Sequence, residues 1–179
     1  GVKRIICERC DKISEGQAWT FVGCHPMAGT QYSGFAHARA NMFHNAPMVV
    51  VPPQMDDFER VAILERLKHL LKPCGFGSFT LSTAENHDRM IAYTSQLAHV
   101  VSNAYVKSPT AQEHKGFSAG SYKDLTRVAR LNAPMWTELF LDNADNLSRE
   151  VGTIIENLQA YKDAIDAHDA EKLQALLAE

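Results

Sequence analysis

Apolar positions recur with two different periods along the chain. In the first part, short runs of β-branched and aromatic residues alternate with segments of helical spacing; one run ends at His25 and another covers residues 47–52. Alternation of strand and helix is typical of an α/β layer. From residue 82 onward, the apolar residues recur at helical spacing alone. The pattern therefore predicts a mixed α/β unit over residues 1–81 and an all-helical unit over residues 82–179.

Capping and turn residues locate the predicted elements more closely. Asp56 or Asp57 is expected to cap the helix that follows the second strand, and Ser82 or Thr83 the first helix of the second unit. A last strand is predicted over residues 76–81. The predicted helices cover residues 2–14, 32–40, 83–106, 122–131, 134–147, 147–167 and a short segment after Asp169, and one more has an apolar face that runs from Phe58 to Leu71. Because three strands make only part of a sheet, we expect the other strands in a preceding part of a longer protein.

The helical unit carries more apolar surface than one small bundle can hide. One apolar stripe runs along the long helix from Ile91 to Val101, and another lies on the predicted 147–167 helix and comprises Val151, Ile154, Ile155, Leu158, Tyr161 and Ile165. Two copies that pack these faces together would remove them from water, so a homodimer is predicted. A compact monomeric bundle is the alternative.

Composition limits the partners that can be expected. The 179 residues are 45% hydrophobic and 22% charged, with a net charge of -3, which gives no reason to expect nucleic acid or an anionic membrane as a partner. No apolar run reaches the roughly 20 residues of a membrane span. The four scattered cysteines suit a reducing cytoplasm. Cys7 and Cys10 form a Cys-x-x-Cys, but no second ligand pair stands at zinc-site spacing, so a core position is favoured over a metal site.

Two residues have side chains suited to acid–base and ion-binding chemistry. His25 follows a run that Gly23 ends and Pro26 turns, so its imidazole is expected at the carboxyl end of a strand. Imidazole titrates near pH 6.5 and can accept a proton at neutral pH; a histidine that only packs in the turn is the alternative. Arg127 offers a planar guanidinium that matches a carboxylate, and a surface ion pair with Asp124 is the alternative.

Residues 23–34, 87–99 and 120–130 resemble three segments of one known family, the prephenate dehydrogenases. The family's catalytic-histidine segment is similar to residues 23–34, Gly-Cys-His-Pro-Met-Ala-Gly-Thr-Gln-Tyr-Ser-Gly. Its substrate-binding segment is similar to residues 120–130, Gly-Ser-Tyr-Lys-Asp-Leu-Thr-Arg-Val-Ala-Arg, and its central helix to residues 87–99, with a histidine at each end. The resemblance covers nearly the whole chain. It implies the carboxyl-terminal remnant of a Rossmann-type sheet, followed by a helical dimerisation domain.

The resemblance also implies a reaction and a set of site residues. The reaction is the oxidative decarboxylation of prephenate to 4-hydroxyphenylpyruvate, with NAD or NADP, in cytoplasmic tyrosine biosynthesis. His25 is implied to be the catalytic proton acceptor, and the implied substrate-binding residues are Arg127, His99, Ser95, His87, Lys123 and Gln31. The cofactor-binding residues are not identified, because no Gly-x-Gly-x-x-Gly turn follows a strand in this chain. We therefore expect the chain alone to be inactive.

Two departures from the family pattern keep other functions open. Gln31 stands where many relatives have an acid, and Gln96 where many have a histidine. Either difference could alter the response to pH or the choice between prephenate and arogenate, so an arogenate dehydrogenase is an alternative. Another is a non-catalytic sensor module that binds an aromatic acid. Tyrosine is a candidate ligand for such a module, or a feedback ligand of the enzyme.

Overall fold

The computed structural model describes residues 1–30, 32 and 34–178, so that Gln31 of the predicted substrate-binding set lies outside them. Within these ranges, the sheet has three strands, β1 (Gly23–Pro26), β2 (Pro47–Val51) and β3 (Ser78–Leu81), in that spatial order. β2 runs antiparallel to β1 and parallel to β3. A small sheet with helices, followed by a helical region, confirms the predicted fold class of mixed α/β and then all-α structure.

β1 begins later than the apolar run before His25 predicts. The register pairs Gly23 with Val51, the last residue of β2. The next possible partners on that side are Pro52 and Pro53. Because proline has no N–H to donate, the ladder cannot continue past Gly23. The residues from Trp19 to Val22 are therefore outside the strand.

Two helices belong to the sheet-containing half, α1 (Arg4–Ser14) and α2 (Asp57–Leu71). Of the two caps considered for α2, Asp56 is the one used, since its carboxylate accepts a hydrogen bond from the backbone N–H of Glu59. The helix predicted over residues 32–40 is reduced to a 3₁₀ turn over Phe35–His37. Gly34 precedes that turn with a φ of 92°, which lies outside the helical region.

The second half is helical. α3 (Ala84–Ile91), a π-helical segment (Ala92–Leu97) and α4 (Ala98–Tyr105) follow one another without a break, where the sequence predicts one α-helix. Thr83 caps α3 by accepting the backbone N–H of Asn86 on its hydroxyl oxygen. The remaining helices are α5 (Gly120–Thr126), α6 (Ala133–Leu141), α7 (Ala144–Asp166) and α8 (Ala170–Ala178). No helix in the described part of the chain is long and apolar enough to cross a membrane.

The two halves meet at Asp88 of α3. Its carboxylate accepts hydrogen bonds from the backbone N–H groups of Lys3, at 2.7 Å, and Arg4, at 2.9 Å, where α1 begins. Its backbone carbonyl accepts a hydrogen bond from the side-chain amide of Asn143, which also donates to Gln96 Oε1 at 2.7 Å. Asp88, Asn143 and Gln96 are only 1–2% exposed. Because these buried polar groups are hydrogen-bonded to one another, they hold α1, α3 and α7 in one arrangement.

Candidate active site

His25 lies on β1, which is paired with β2 and packed against α1. His25 is the third residue of this strand and pairs with Val49 of β2. Gly23, two residues earlier, allows α1 to pack closely, because a Cβ there would lie 2.9 Å from Cys7 Sγ. The ring of His25 is half-buried. The imidazole is thus held near the end of a strand, close to where the sequence places it.

His25, His87 and Asp88 form a chain of hydrogen bonds. His25 Nδ1 lies 2.8 Å from His87 Nε2, and His87 Nδ1 lies 2.7 Å from Asp88 Oδ1. His87 is 2% exposed and Asp88 is 1% exposed. Of these three side chains, only that of His25 reaches the surface. A ligand could therefore contact this hydrogen-bonded group only at His25.

The charges of Asp88 and His25 follow from the contacts that these side chains make. Burial by itself raises the pKa of Asp88, but hydrogen bonds from His87, Arg4 and Lys3 hold that pKa below its usual value. Burial is the largest of the causes that lower the pKa of His25 to about 4; the amino terminus of this chain, Lys3 and His87 add to it, and together they outweigh the attraction of Asp88. At neutral pH, His25 is therefore uncharged and able to accept a proton.

The π-helical segment changes the direction in which His99 points. A π turn contains about one residue more than an α turn, which rotates every later side chain back by about 100°. His87 and His99 are 12 residues apart, which corresponds to about 120° around a regular α-helix. With the π turn, the two histidines lie within about 20° of one line along the helix. The segment therefore places His99 on the face that carries His87.

Within the described residues, His99 has a hydrogen bond at one of its two ring nitrogens. Its Nδ1 lies 2.8 Å from the backbone carbonyl oxygen of Ser95, so this nitrogen donates and Nε2 remains able to accept. Its ring lies against Trp136, with the ring centroids 4.0 Å apart. An aromatic wall beside a free imidazole nitrogen could contact a ring-shaped ligand.

Arg127 and Lys123 lie at the end of α5, and both are exposed. The helix is attached to α4 by a hydrogen bond of 2.6 Å from the hydroxyl of Ser102 to the carbonyl of Leu125. Among the residues that the structure describes, neither cation forms an ion pair, and the pair considered between Arg127 and Asp124 is not made. Both charges are therefore available to an anionic ligand.

The predicted site residues fall into two groups within one chain. The first group is His25 and His87, which are joined by a hydrogen bond; the second is His99, Ser95, Lys123 and Arg127, which lie on the π-helical segment, on α4 and at the end of the attached α5. At about 1.5 Å per residue, His99 lies roughly 16–18 Å along the helix from His87. Over residues 1–30, 32 and 34–178, no hydrogen bond or ion pair joins the two groups.

The sequence pattern does not single out Asp88 or Trp136. The signal for Asp88 was its position next to His87 in the first turns of a capped helix. Gln96, a departure considered for its effect on pH response, packs in the buried cluster and donates from Nε2 to the carbonyl of Leu139 at 2.8 Å. Its side chain therefore joins helices and does not face His25.

Metal and thiol chemistry find no site in the described ranges. No group of three or more His, Cys, Asp or Glu side chains there is arranged to hold a metal ion. The four cysteines are free, with Cys7 buried and Cys10 half-buried. Burial raises the pKa of Cys7 and Cys24, so these thiols are protonated at neutral pH and are weak nucleophiles.

The Gly-x-Gly of this chain is not placed to hold the pyrophosphate of a dinucleotide. Gly75 and Gly77 form its one Gly-x-Gly, and they precede β3 instead of following a strand. A Cβ at Gly77 would lie 2.7 Å from the carbonyl oxygen of Asn45. This glycine therefore serves close backbone packing, and its backbone does not face an open cradle.

Comparison with known families gives matches over both halves. A family model described as "Prephenate dehydrogenase, dimerization domain" matches residues 83–179. A second, described as "Prephenate dehydrogenase, nucleotide-binding domain", matches residues 1–77. The prephenate dehydrogenase of Bacillus subtilis is 31% identical over 96% of this chain and 46% of its own length. The cyclohexadienyl dehydrogenase of Zymomonas mobilis is 29% identical over 85% of this chain and 53% of its own length. The chain thus spans about half the length of these curated relatives.

Solved structures show the same relationship. The arogenate dehydrogenase of Synechocystis has a TM-score of 0.78 and 28% identity, covering 99% of this chain and 63% of that one. The prephenate dehydrogenase of A. aeolicus, solved in complex with hydroxyphenyl propionate and NAD+, has a TM-score of 0.73 and 26% identity, covering 94% of this chain and 59% of that one. With one family model over more than half of its length and another over most of the rest, the chain belongs to the prephenate dehydrogenase family.

Proposed function

We propose that this chain supplies the proton-accepting histidine and the substrate pocket of an enzyme that oxidatively decarboxylates prephenate to 4-hydroxyphenylpyruvate. The observation that carries the proposal is the environment of His25, an uncharged imidazole with one nitrogen held by the protein and the ring at the surface. Such a group can take the proton of the substrate hydroxyl while a hydride leaves the carbon that bears this hydroxyl. Loss of carbon dioxide then makes the ring aromatic.

Binding of the substrate is proposed to use the second group of residues. Prephenate carries two carboxylates, and the exposed cations Arg127 and Lys123 suit them. His99 and Ser95 are proposed to line the pocket beside Trp136, and Gln31 remains a proposed contact from the sequence resemblance. His87 was expected in the same set, but its ring is 2% exposed and both of its nitrogens have partners in the protein, so we propose no direct substrate contact for it.

The hydride acceptor is proposed to be NAD or NADP. When bound, this cofactor accepts the hydride from the substrate. One family model that matches the chain is a nucleotide-binding domain, and one solved relative is in complex with NAD+. Because the Gly-x-Gly at residues 75–77 precedes β3 and its Gly77 is packed against Asn45, we propose that the pyrophosphate is bound by a segment corresponding to the half of the relatives that the chain does not cover.

Assembly is proposed to be a homodimer through the helical half. Residues on α7 and α8 expose large apolar side chains, with Ile155 at 59%, Leu158 at 60% and Leu177 at 71%. The family model over residues 83–179 is a dimerization domain. Packing two copies together through these helices would bury such side chains. We propose the cytoplasm as the location, in keeping with four free cysteines.

An arogenate dehydrogenase is the second candidate function, because a solved arogenate dehydrogenase has a TM-score of 0.78 with this chain. Prephenate and arogenate differ by a keto group against an amino group. The test uses the full-length gene product, each substrate with NAD and with NADP, and the absorbance of the reduced cofactor. Reduction that depends on prephenate supports the proposal, and reduction with arogenate alone supports the second candidate. Binding of tyrosine without any turnover would instead favour a sensor module.

A further inference from the structure

The partners in the His25–His87–Asp88 chain dictate where each proton lies. The ionised carboxylate of Asp88 accepts the N–H groups of Lys3 and Arg4 and has no proton to give. His87 Nδ1, 2.7 Å away, must therefore donate to it, which leaves Nε2 of a neutral His87 as an acceptor. His25 Nδ1, 2.8 Å from that acceptor, must in turn donate.

We propose that His87 and Asp88 are positioning residues that hold neutral His25 in the tautomer with its proton on Nδ1, so that Nε2 is the proton-accepting atom. They are also placed to take up the positive charge when His25 is protonated. The chemical step in this inference rests on the proposed function, whereas the tautomer itself does not.

Each proton that one atom releases is accepted by another named atom, so the proton transfers need no further reactant. The hydroxyl O–H bond of the substrate breaks, its proton forms an N–H bond at His25 Nε2, and the substrate oxygen keeps the electron pair. The proton on His25 Nδ1 can then pass to His87 Nε2, while His87 Nδ1–H stays bonded to Asp88. The positive charge thus moves toward a carboxylate, where it is more stable than on an isolated buried imidazole.

Burial makes this arrangement effective. With exposures of 2% for His87 and 1% for Asp88, water cannot compete for their hydrogen bonds. Asp88 is also fixed by two backbone donors at the start of α1, so that its carboxylate cannot rotate away without losing them. An outer partner held this firmly defines both the tautomer and the orientation of a histidine.

The test reads the tautomer directly. The chain is labelled with ¹⁵N in its histidine rings, and long-range ¹H–¹⁵N correlation spectra at pH 7.5 report which ring nitrogen carries the proton. The signals of His25 are assigned by their loss in His25→Asn. The variants are His87→Leu, which removes the acceptor, and His87→Gln, whose amide oxygen can replace Nε2 as an acceptor. His69→Gln, in an exposed histidine of α2, is the matched control.

We expect His25 to carry its proton on Nδ1 in the unsubstituted chain, in His87→Gln and in His69→Gln, and to shift toward the Nε2-protonated tautomer in His87→Leu. A proton on Nε2 in the unsubstituted chain would overturn the inference, even if no variant folds. An unchanged tautomer in a folded His87→Leu, checked by circular dichroism, would overturn it as well.

Activity of the full-length gene product provides the second readout. His87→Leu is expected to lower kcat by at least about 10-fold with little change in KM, and His87→Gln to recover part of the loss. Equal kcat for His87→Leu and the unsubstituted enzyme would contradict the positioning role. If the enzyme oxidises neither prephenate nor arogenate, the proposed function fails, and the spectra still decide the tautomer.

Discussion

Replacing Asp88 by alanine should destabilise the protein by about 3–5 kcal/mol, as expected for breaking a buried charged contact. The substitution leaves the N–H groups of Lys3 and Arg4 and Nδ1 of His87 without their acceptor. A buried donor without a partner costs about 1–3 kcal/mol. Three such donors set an upper limit of about 9 kcal/mol. Water can reach the part-buried N–H of Arg4, which brings the expected loss below that limit.

Urea unfolding at pH 7, followed by circular dichroism and tryptophan fluorescence, measures this loss. All variants are compared at one protein concentration, because a dimer makes the apparent stability depend on concentration. The control is Asp11→Ala, which removes an exposed acid from α1, the helix that Asp88 anchors. The control should change the free energy of unfolding by less than about 0.5 kcal/mol. If Asp88→Ala loses less than about 1 kcal/mol, the anchoring role is refuted.

The contribution of Asp88 should also depend on pH in a defined direction. The pKa of Asp88 is lower in the folded protein than its usual value of 3.8. A group with a lowered folded pKa stabilises fully above its unfolded pKa, and the stabilisation is lost as the pH falls through the folded pKa. The gap between the unsubstituted protein and Asp88→Ala should therefore shrink below about pH 4. A gap that stays constant down to pH 2 would mean that Asp88 acts through packing alone.

Four further outcomes test the proposed site and assembly. In the full-length enzyme, His25→Asn should lower kcat by about 10² to 10⁴ with a small effect on KM; near-normal turnover would exclude His25 as the proton acceptor. Arg127→Ala should cost about 1.5–3 kcal/mol of binding, seen mainly as a 10- to 150-fold higher KM, and an unchanged KM would place the carboxylate elsewhere. The chain by itself should not reduce NAD or NADP with prephenate, and robust turnover would contradict a cofactor site outside it. Light scattering at micromolar concentration should give twice the mass of 19.9 kDa, whereas a clean monomer would refute the dimer.

Local signals in the sequence predict much of the fold. The apolar run that becomes β2 acts over a few residues, as do the caps, where Asp56 and Thr83 are in each case one of the two residues that the sequence predicts. The start of β1 is different, because it depends on Pro52 and Pro53 being opposite the run before Gly23. That pairing is a matter of register between two strands, which the pattern of one strand does not reveal.

The π-helical segment was also beyond what periodicity predicts. Its residues have ordinary helical spacing, and the bulge coincides with Gln96, whose amide is tied to Leu139 and Asn143. These partners lie 43 and 47 residues away along the chain. Tertiary hydrogen bonds therefore accompany the local change of helix type, and the sequence of one helix carries no sign of them.

The role of Asp88 in the site could not be predicted from the sequence for the same reason, because it depends on long-range hydrogen bonds. His25 was found from its own surroundings, whereas the significance of Asp88 depends on hydrogen bonds to residues 84 and 85 positions away. One carboxylate therefore links the start of α1, the start of the helical half and the ring of His87. The same hydrogen bonds stabilise the fold and define the tautomer of His25. Substitutions of Asp88 that affect stability and tautomer to different degrees therefore separate the two roles. Asp88→Asn keeps the size of the side chain, but its amide can donate as well as accept. The change in the His25 tautomer, divided by the loss in free energy of unfolding, should therefore be larger for Asp88→Asn than for Asp88→Ala.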